Sequence, residues 1–281
     1  MRITWGSREV EIEVRWTVPS AAADRLATSQ DPLPKALRDD GSRIQPVMIF
    51  LHEGLGSVSM WRDFPDKLCT ALGVRGLVYS RPGYGHSTPR AADERWDVDF
   101  MHQQAHEVLP ALLAALGIDP TRETVYLFGH SDGASIALLH AARFGSLLAG
   151  VVALAPHILV EDITISSIEQ ARDAYRTTDL KQRLARHHKD PDSAFWGWNQ
   201  IWLDPRFKAW TIEDELAAIG CPVLAIQGMD DEYGTMMQID GIAARLPGTR
   251  LIKLAQCGHS PHKDQPSQVI AAVHQFVEAR P

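Results

Sequence analysis

The stretch that most constrains this chain is Tyr126-Leu-Phe-Gly-His-Ser-Asp-Gly-Ala134. An apolar, β-prone run from Thr124 to Phe128 feeds into Gly129-His-Ser131-Asp-Gly133, and a helical pattern from Ala134 to Phe144 follows at once. A residue forced onto so sharp a strand-to-helix turn needs small neighbours two positions away on either side, because the two backbones approach closely there. The helix N-terminus then aims its free N–H groups and positive dipole end at negative charge that develops beside Ser131. The plain reading is an ordinary glycine-rich turn; the sharper one is a nucleophile elbow. The remainder of the chain decides between them.

Around this stretch, strands and helices alternate. Val47–Leu51 is a continuous apolar run of the kind found in buried strands, followed by His52-Glu-Gly-Leu-Gly-Ser57 and a helix expected over Ser59–Leu72. Gly76–Tyr79 is the next strand, ending in Ser80-Arg-Pro-Gly-Tyr-Gly-His-Ser87. Val98, Met101, Ala105, Val108, Leu109, Leu112, Leu113 and Leu116 recur at helical spacing, with Gly117 as the stop. Leu148–Ala155 and Val223–Gln227 are further strands; a helix near Met236–Leu246, a strand at Arg250–Leu254 and a helix over Gln265–Ala279 complete the series. This order implies an α/β fold with a doubly wound, mostly parallel sheet, expected to hold eight strands. Residues 2–18 alternate apolar and charged side chains, which predicts an antiparallel hairpin with one wet face. Residues 19–46 lack any period and read as a surface connector with at most one short helix.

Residues 157–214 break the rhythm. They are helical in tendency, and four of the eight tryptophans fall between 196 and 210. A helical block inserted in a doubly wound sheet reads as a lid over the strands' C-terminal edge, where ligands bind in such sheets. The expected division is therefore a core of residues 1–156 and 215–281 with a lid of 157–214. The tryptophans serve as lid core, with Trp198 and Trp202 expected to line a pocket.

If Ser131 is a nucleophile, it needs a base, and the base needs an orienting carboxylate. Both arrive after later strands in the required order: Gly228-Met-Asp-Asp-Glu232 follows one, and Gln256-Cys-Gly-His-Ser-Pro-His262 follows the next. Three loops agreeing in residue type and order turn the reading decisively toward the elbow.

These segments resemble the α/β-hydrolase fold along nearly the whole chain: His52-Glu-Gly-Leu-Gly, Arg81-Pro-Gly-Tyr-Gly-His-Ser87, Gly129-His-Ser-Asp-Gly133, Gly228-Met-Asp-Asp231 and Gly258-His-Ser-Pro261. Within that fold the chain is similar to small lidded hydrolases, among them the C–C hydrolases of aromatic degradation and the biphenyl-hydrolase-like valacyclovir hydrolase. The resemblance implies Ser131 as nucleophile, His259 as general base and then acid, and Asp231 as orienter, with Asp230 its rival one residue away. It implies an oxyanion hole from the N–H of Asp132 and of Gly54, with Leu55 as fallback, because His52-Glu53 stands where the family has His-Gly. It places His130 sideways in packing and makes His262 a structural hydrogen-bonding residue. Glu53 is expected to accept backbone hydrogen bonds or to pair with an arginine such as Arg62 or Arg81, and both Glu53 and Asp132 are weighed as substrate contacts, Asp132 as selector of a cationic group. The activity implied is cleavage of a small-molecule carboxylic ester, without metal or cofactor. A C–C hydrolase, lactonase or thioesterase would use the same residues; a ligand-binding, receptor-like protein with residual hydrolysis is the reading from another class. For the C–C reading, Asn199 is the chain's one asparagine and falls in the inserted block.

Composition narrows the partners. A net charge of −7 argues against nucleic acid and anionic membranes, and no apolar run reaches the roughly 18 residues that span a bilayer. The first residues, Met1-Arg-Ile-Thr-Trp-Gly, lack a signal peptide's apolar stretch, and the three scattered cysteines suit a reducing compartment, so a cytoplasmic setting is expected. Oligomeric state is left open.

Overall fold

The computed structural model describes residues 1–17, 38–39 and 43–279. The expected connector over 19–46 therefore lies largely outside the described residues; within it, Arg38–Asp39 (β4) and Arg43–Ile44 (β5) form a two-residue antiparallel ladder. The main sheet is built from β3 (Val14–Thr17), β6 (Val47–Leu51), β7 (Arg75–Tyr79), β8 (Val125–His130), β9 (Gly150–Leu154), β10 (Val223–Gly228) and β11 (Arg250–Leu254). Its order is β11-β10-β9-β8-β6-β7-β3, parallel throughout except for β3 against β7.

Among the described residues the sheet has seven strands, against the expected eight. The N-terminal hairpin, β1 (Arg2–Trp5) on β2 (Arg8–Glu11), pairs only with itself among the described residues, from Arg2↔Glu11 to Trp5↔Arg8. It buries Ile3, Val10 and Ile12 in the core cluster that also holds Leu109, Leu112 and Leu113. At Ile12-Glu13 the chain leaves the hairpin, and only the following residues join the sheet edge. The alternation over 2–18 thus covers two separate pairings, because period-two patterning specifies a face but not a neighbour.

The central strands read as continuous apolar runs because both faces are covered. Ile49, Leu51, Leu127 and Val151 face the helix Asp132–Phe144 and the segment Phe100–Leu116. Met48, Phe50, Phe128, Val152 and Ile226 face the helices Phe64–Leu72 and Pro266–Glu278. The helix expected at Ser59 begins as a 3₁₀ turn, Val58–Trp61, and the regular helix starts at Phe64. The helix expected over 97–116 contains a π-helical turn at Gln104–Val108.

Between β9 and β10 lie the helices Asp162–Thr177, Leu180–Leu184, Pro191–Trp202 and Glu213–Leu216. One fixture of this insertion is His188. Its Nδ1 accepts the Gly85 N–H (2.9 Å) and its Nε2 donates to Leu55 O (3.0 Å), so it joins the insertion to the loops after β6 and β7. That bonding pattern requires a neutral ring. Burial lowers its pKa from 6.5 to about 4, against the opposing pull of the Leu55 carbonyl. The unfolded chain therefore takes up the proton first as pH falls, and stability is lost progressively between about 6.5 and about 4. Acidification from pH 7 to pH 5 should lower the melting temperature by several degrees. His188→Gln should melt lower at pH 7 but show a shallower pH dependence, as read by calorimetry across that window.

Candidate active site

Ser131 sits at φ 54° and ψ −123°, a region that a residue with a Cβ occupies only when its surroundings impose it. The imposition is visible on both sides. A Cβ on Gly129 would fall 2.3 Å from Gly133 O, and one on Gly133 would fall 2.1 Å from Leu51 O. Strand and helix approach so closely that only glycine fits at either position, and the serine between them is lifted to the C-terminal edge of the sheet.

Two later loops arrive at the same point. His259 Nε2 lies 2.9 Å from Ser131 Oγ, and its Nδ1 lies 2.8 Å from Asp231 Oδ1. With Nδ1–H donated to the carboxylate, Nε2 presents a lone pair to the serine hydroxyl. Asp231 also accepts the Tyr233 N–H (2.8 Å) and the Gln227 amide (3.1 Å). Burial pushes the Asp231 carboxyl upward, but the hydrogen bonds from His259 and Tyr233 outweigh it and hold the group below its usual range. Asp230, its rival in sequence, is exposed, and its N–H donates to Cys257 O. The His259 backbone is fixed as well: its N–H donates to Glu232 Oε2 (3.1 Å), and its carbonyl accepts His130 Nε2–H (2.7 Å).

His130 is buried, as its place beside Ser131 suggested, with its free nitrogen 3.5 Å from Glu53 Oε2. His262 departs from expectation. Neither of its ring nitrogens has a hydrogen-bond partner among the described residues; the ring packs instead against His130 (4.7 Å), Trp61 (4.9 Å) and Phe64 (5.4 Å). Its surroundings are aromatic, and burial drives its pKa well below the ordinary imidazole value. Glu53 also departs: its carboxylate faces Lys263 Nζ at 3.3 Å rather than Arg62 or Arg81. Arg81 instead donates to the backbone carbonyl of Glu53 (2.9 Å), bracing the loop from below.

The N–H of Asp132 opens the helix Asp132–Phe144 and so has no intrahelical acceptor. Gly54 and Leu55 line the same cavity, with the Trp198 indole laid over Gly54, where a Cβ would fall 2.2 Å from Nε1. The Asp132 carboxylate is buried, accepts Trp202 Nε1–H at 3.2 Å, and has Arg81 Nη2 3.7 Å from its second oxygen. Burial raises its pKa, with Arg81 and Trp202 opposing.

The cavity over Ser131 is small, about 110 Å³, against the ~300 Å³ at which ligand pockets usually begin. Glu53, Asp132, Trp198 and Trp202 line it, together with His157 and Tyr233. The last two escaped sequence reasoning because neither lies in a recognisable spacing. Asn199 is turned away into the insertion, donating to Ile168 O at 3.0 Å. A larger hollow of about 530 Å³ opens at the other end of the sheet, beside Ile118, Arg122, His140 and Phe144, and none of the residues above reaches it. No cluster of three or more His, Cys, Asp or Glu side chains among the described residues is arranged to hold a metal ion. Among the same residues no helix is long and apolar enough to cross a membrane.

Comparison with known proteins agrees with this architecture. The human serine hydrolase BPHL is 26% identical over 198 residues, 66% of this chain, which spans 63% of that protein's length. The enol-lactonase of Burkholderia xenovorans superposes with a TM-score of 0.69 at 19% identity, covering 99% of this chain and 100% of that one. A meta-cleavage product hydrolase of Pseudomonas fluorescens superposes at 0.67 and 16% identity, covering 100% of this chain and 98% of that one. The profile of the alpha/beta hydrolase family matches residues 48–273, from within β6 to the last helix. With that match laid over a sheet that carries the strained turn at the end of β8, the chain belongs to the alpha/beta hydrolase family.

Proposed function

We propose that the protein is a serine hydrolase that cleaves a small carboxylic ester through an acyl-enzyme, the segment 157–214 acting as its lid. The observation that carries this reading is the continuous hydrogen-bonded relay Ser131–His259–Asp231 on a strained turn. Ser131 Oγ attacks the ester carbonyl while His259 Nε2 takes its proton, and Asp231 stabilises the resulting imidazolium. The N–H groups of Asp132 and Gly54 hold the developing oxyanion. His259 returns the proton to the departing alcohol, then activates the water that releases the acid and frees Ser131. The human relative carries the name serine hydrolase, which favours the same nucleophile class.

The cavity's charges bear on the substrate. Two carboxylates line it, Glu53 and Asp132, and among the described lining residues there is no lysine or arginine. A dienone carrying a carboxylate, as a C–C hydrolase would take, meets no cation there and no asparagine, so neutral or cationic esters fit better. Lactones and thioesters use the same acyl-enzyme and belong in the substrate panel. The small-molecule substrate is the partner this reading requires; it involves neither nucleic acid nor a membrane.

Intact mass after a fluorophosphonate probe should show one adduct on the wild type and none on Ser131→Ala; equal labelling of both would refute the nucleophile. A p-nitrophenyl ester should give an acyl-enzyme burst, whereas tight ligand binding without burst or turnover would favour the receptor-like reading. Asp231→Asn should lower kcat by about 10³–10⁴, the loss seen when the orienting carboxylate of such a relay becomes an amide. Asp132 needs care, since Asp132→Ala leaves Arg81 buried without its counter-charge and should cost about 3 kcal/mol in urea unfolding. Asp132→Asn keeps the Trp202 hydrogen bond and is the better probe of selectivity. If Asp132 selects a cationic group, Asp132→Asn should depress kcat/KM for amino-acid esters by about tenfold relative to neutral esters of equal size; equal losses on both would remove that role.

A further inference from the structure

His157 is a polar side chain of the cavity wall that the relay does not use. The elbow helix holds its backbone from both directions: Ser135 Oγ accepts the His157 N–H (3.0 Å) and donates to the His157 carbonyl (2.6 Å). Two residues earlier, Ala155 sits at φ 44°, a second strained non-glycine residue at the same sheet edge as Ser131, and it turns the chain as β9 ends. The His157 ring then stands 5.7 Å from the His259 ring and 5.0 Å from Trp202, inside the cavity wall.

The ring nitrogens are unequal. Nδ1 is sealed from solvent with no hydrogen-bond partner among the described residues, which leaves Nε2 as the nitrogen that meets the cavity. A buried N–H without an acceptor is costlier and rarer than a buried lone pair without a donor, so the proton belongs on Nε2. Burial, reinforced by His259, lowers the His157 pKa to about 3, so the ring stays neutral and adds no charge beside the base. An apolar residue would fill the same wall without stranding a nitrogen. Three other polar groups of the wall are engaged by protein: Thr164 Oγ1 donates to Tyr233 O, Trp202 Nε1 donates to Asp132, and Glu53 faces Lys263.

We propose that His157 is a substrate-binding residue whose Nε2–H donates to a hydroxyl, ether or carbonyl oxygen next to the scissile ester, so that the enzyme prefers oxygen-substituted esters to their hydrocarbon counterparts. The inference rests on the serine-hydrolase reading and deepens it by naming a substrate class. It also suits the small cavity: where little apolar surface can be buried, a single directional donor gives the discrimination that area cannot.

The test compares matched pairs on both sides of the ester. p-Nitrophenyl lactate is set against p-nitrophenyl propionate, and 2-methoxyethyl acetate against butyl acetate. Intrinsic reactivity cancels when the kcat/KM ratio within each pair is compared between wild type and variant. In at least one pair, His157→Phe should reduce the oxygen preference by about tenfold or more, as expected for loss of a hydrogen bond to substrate. His157→Gln, which keeps a donor, should recover most of that preference, and His157→Leu, which also removes the donor, is the measured variant if His157→Phe does not fold. Unchanged ratios in both pairs would overturn the proposal, as would equal losses on all four esters, which mark a merely structural residue. Fluorophosphonate labelling of wild-type Ser131 separates the two levels: labelling with unchanged ratios removes the His157 role alone, whereas absence of labelling and of ester turnover removes the serine-hydrolase reading and this inference with it.

Discussion

The site depends on a near-collision of backbones at the end of β8. Gly129 and Gly133 let the strand, the following helix and the β6 carbonyl at Leu51 occupy one small volume, and Ser131 takes a strained conformation as the consequence. Strain of this kind persists only where the surroundings over-determine it. Here they do: β8 lies between β6 and β9, and the Ser131 N–H is itself bound to Leu154 O at 2.9 Å. The serine is rigid because the sheet is rigid, and the loops after β10 and β11 need only reach a fixed point.

The second layer of order is electrostatic. Arg81, almost wholly buried, donates to the carbonyl of Glu53 and faces Asp132, so one guanidinium braces the loop after β6 and balances the carboxylate beside the serine. Lys263 meets Glu53 from the His259 loop, and His130 reaches from the elbow to the His259 carbonyl. Each loop of the site is thus tied to another by a charged or buried polar contact. Breaking one such tie leaves an uncompensated buried group, which is why these contacts restrict movement more than their individual strengths suggest. The insertion joins the same network through His188, whose ring bridges Gly85 and Leu55.

Much of this was legible in sequence. Strand and helix bounds agree with the pattern to within a few residues because a sheet covered on both faces demands unbroken apolar strands, and β6 matches residue for residue. The order serine, carboxylate, histidine on successive strand ends was equally readable, since it depends on chain order alone. The strand count was not, because alternation at the N-terminus cannot say whether a hairpin joins the sheet or packs on a helix. The partners of Glu53 and the aromatic cage of His262 were also hidden: they depend on how separate loops converge, and Glu53 and Lys263 are 210 residues apart.

By itself, then, the sequence determined the fold and the turn at Ser131, because both follow from local spacing: small residues where backbones meet, apolar runs where strands are buried. Only the tertiary structure decided that Asp231 rather than Asp230 meets His259, that Arg81 stands beneath Asp132, and that His157 enters the cavity wall. The physical reason is that side-chain direction at a loop is set by the path of the backbone. At Ala155 and Ser131 that path runs through conformations that no propensity favours and that only the packed sheet enforces.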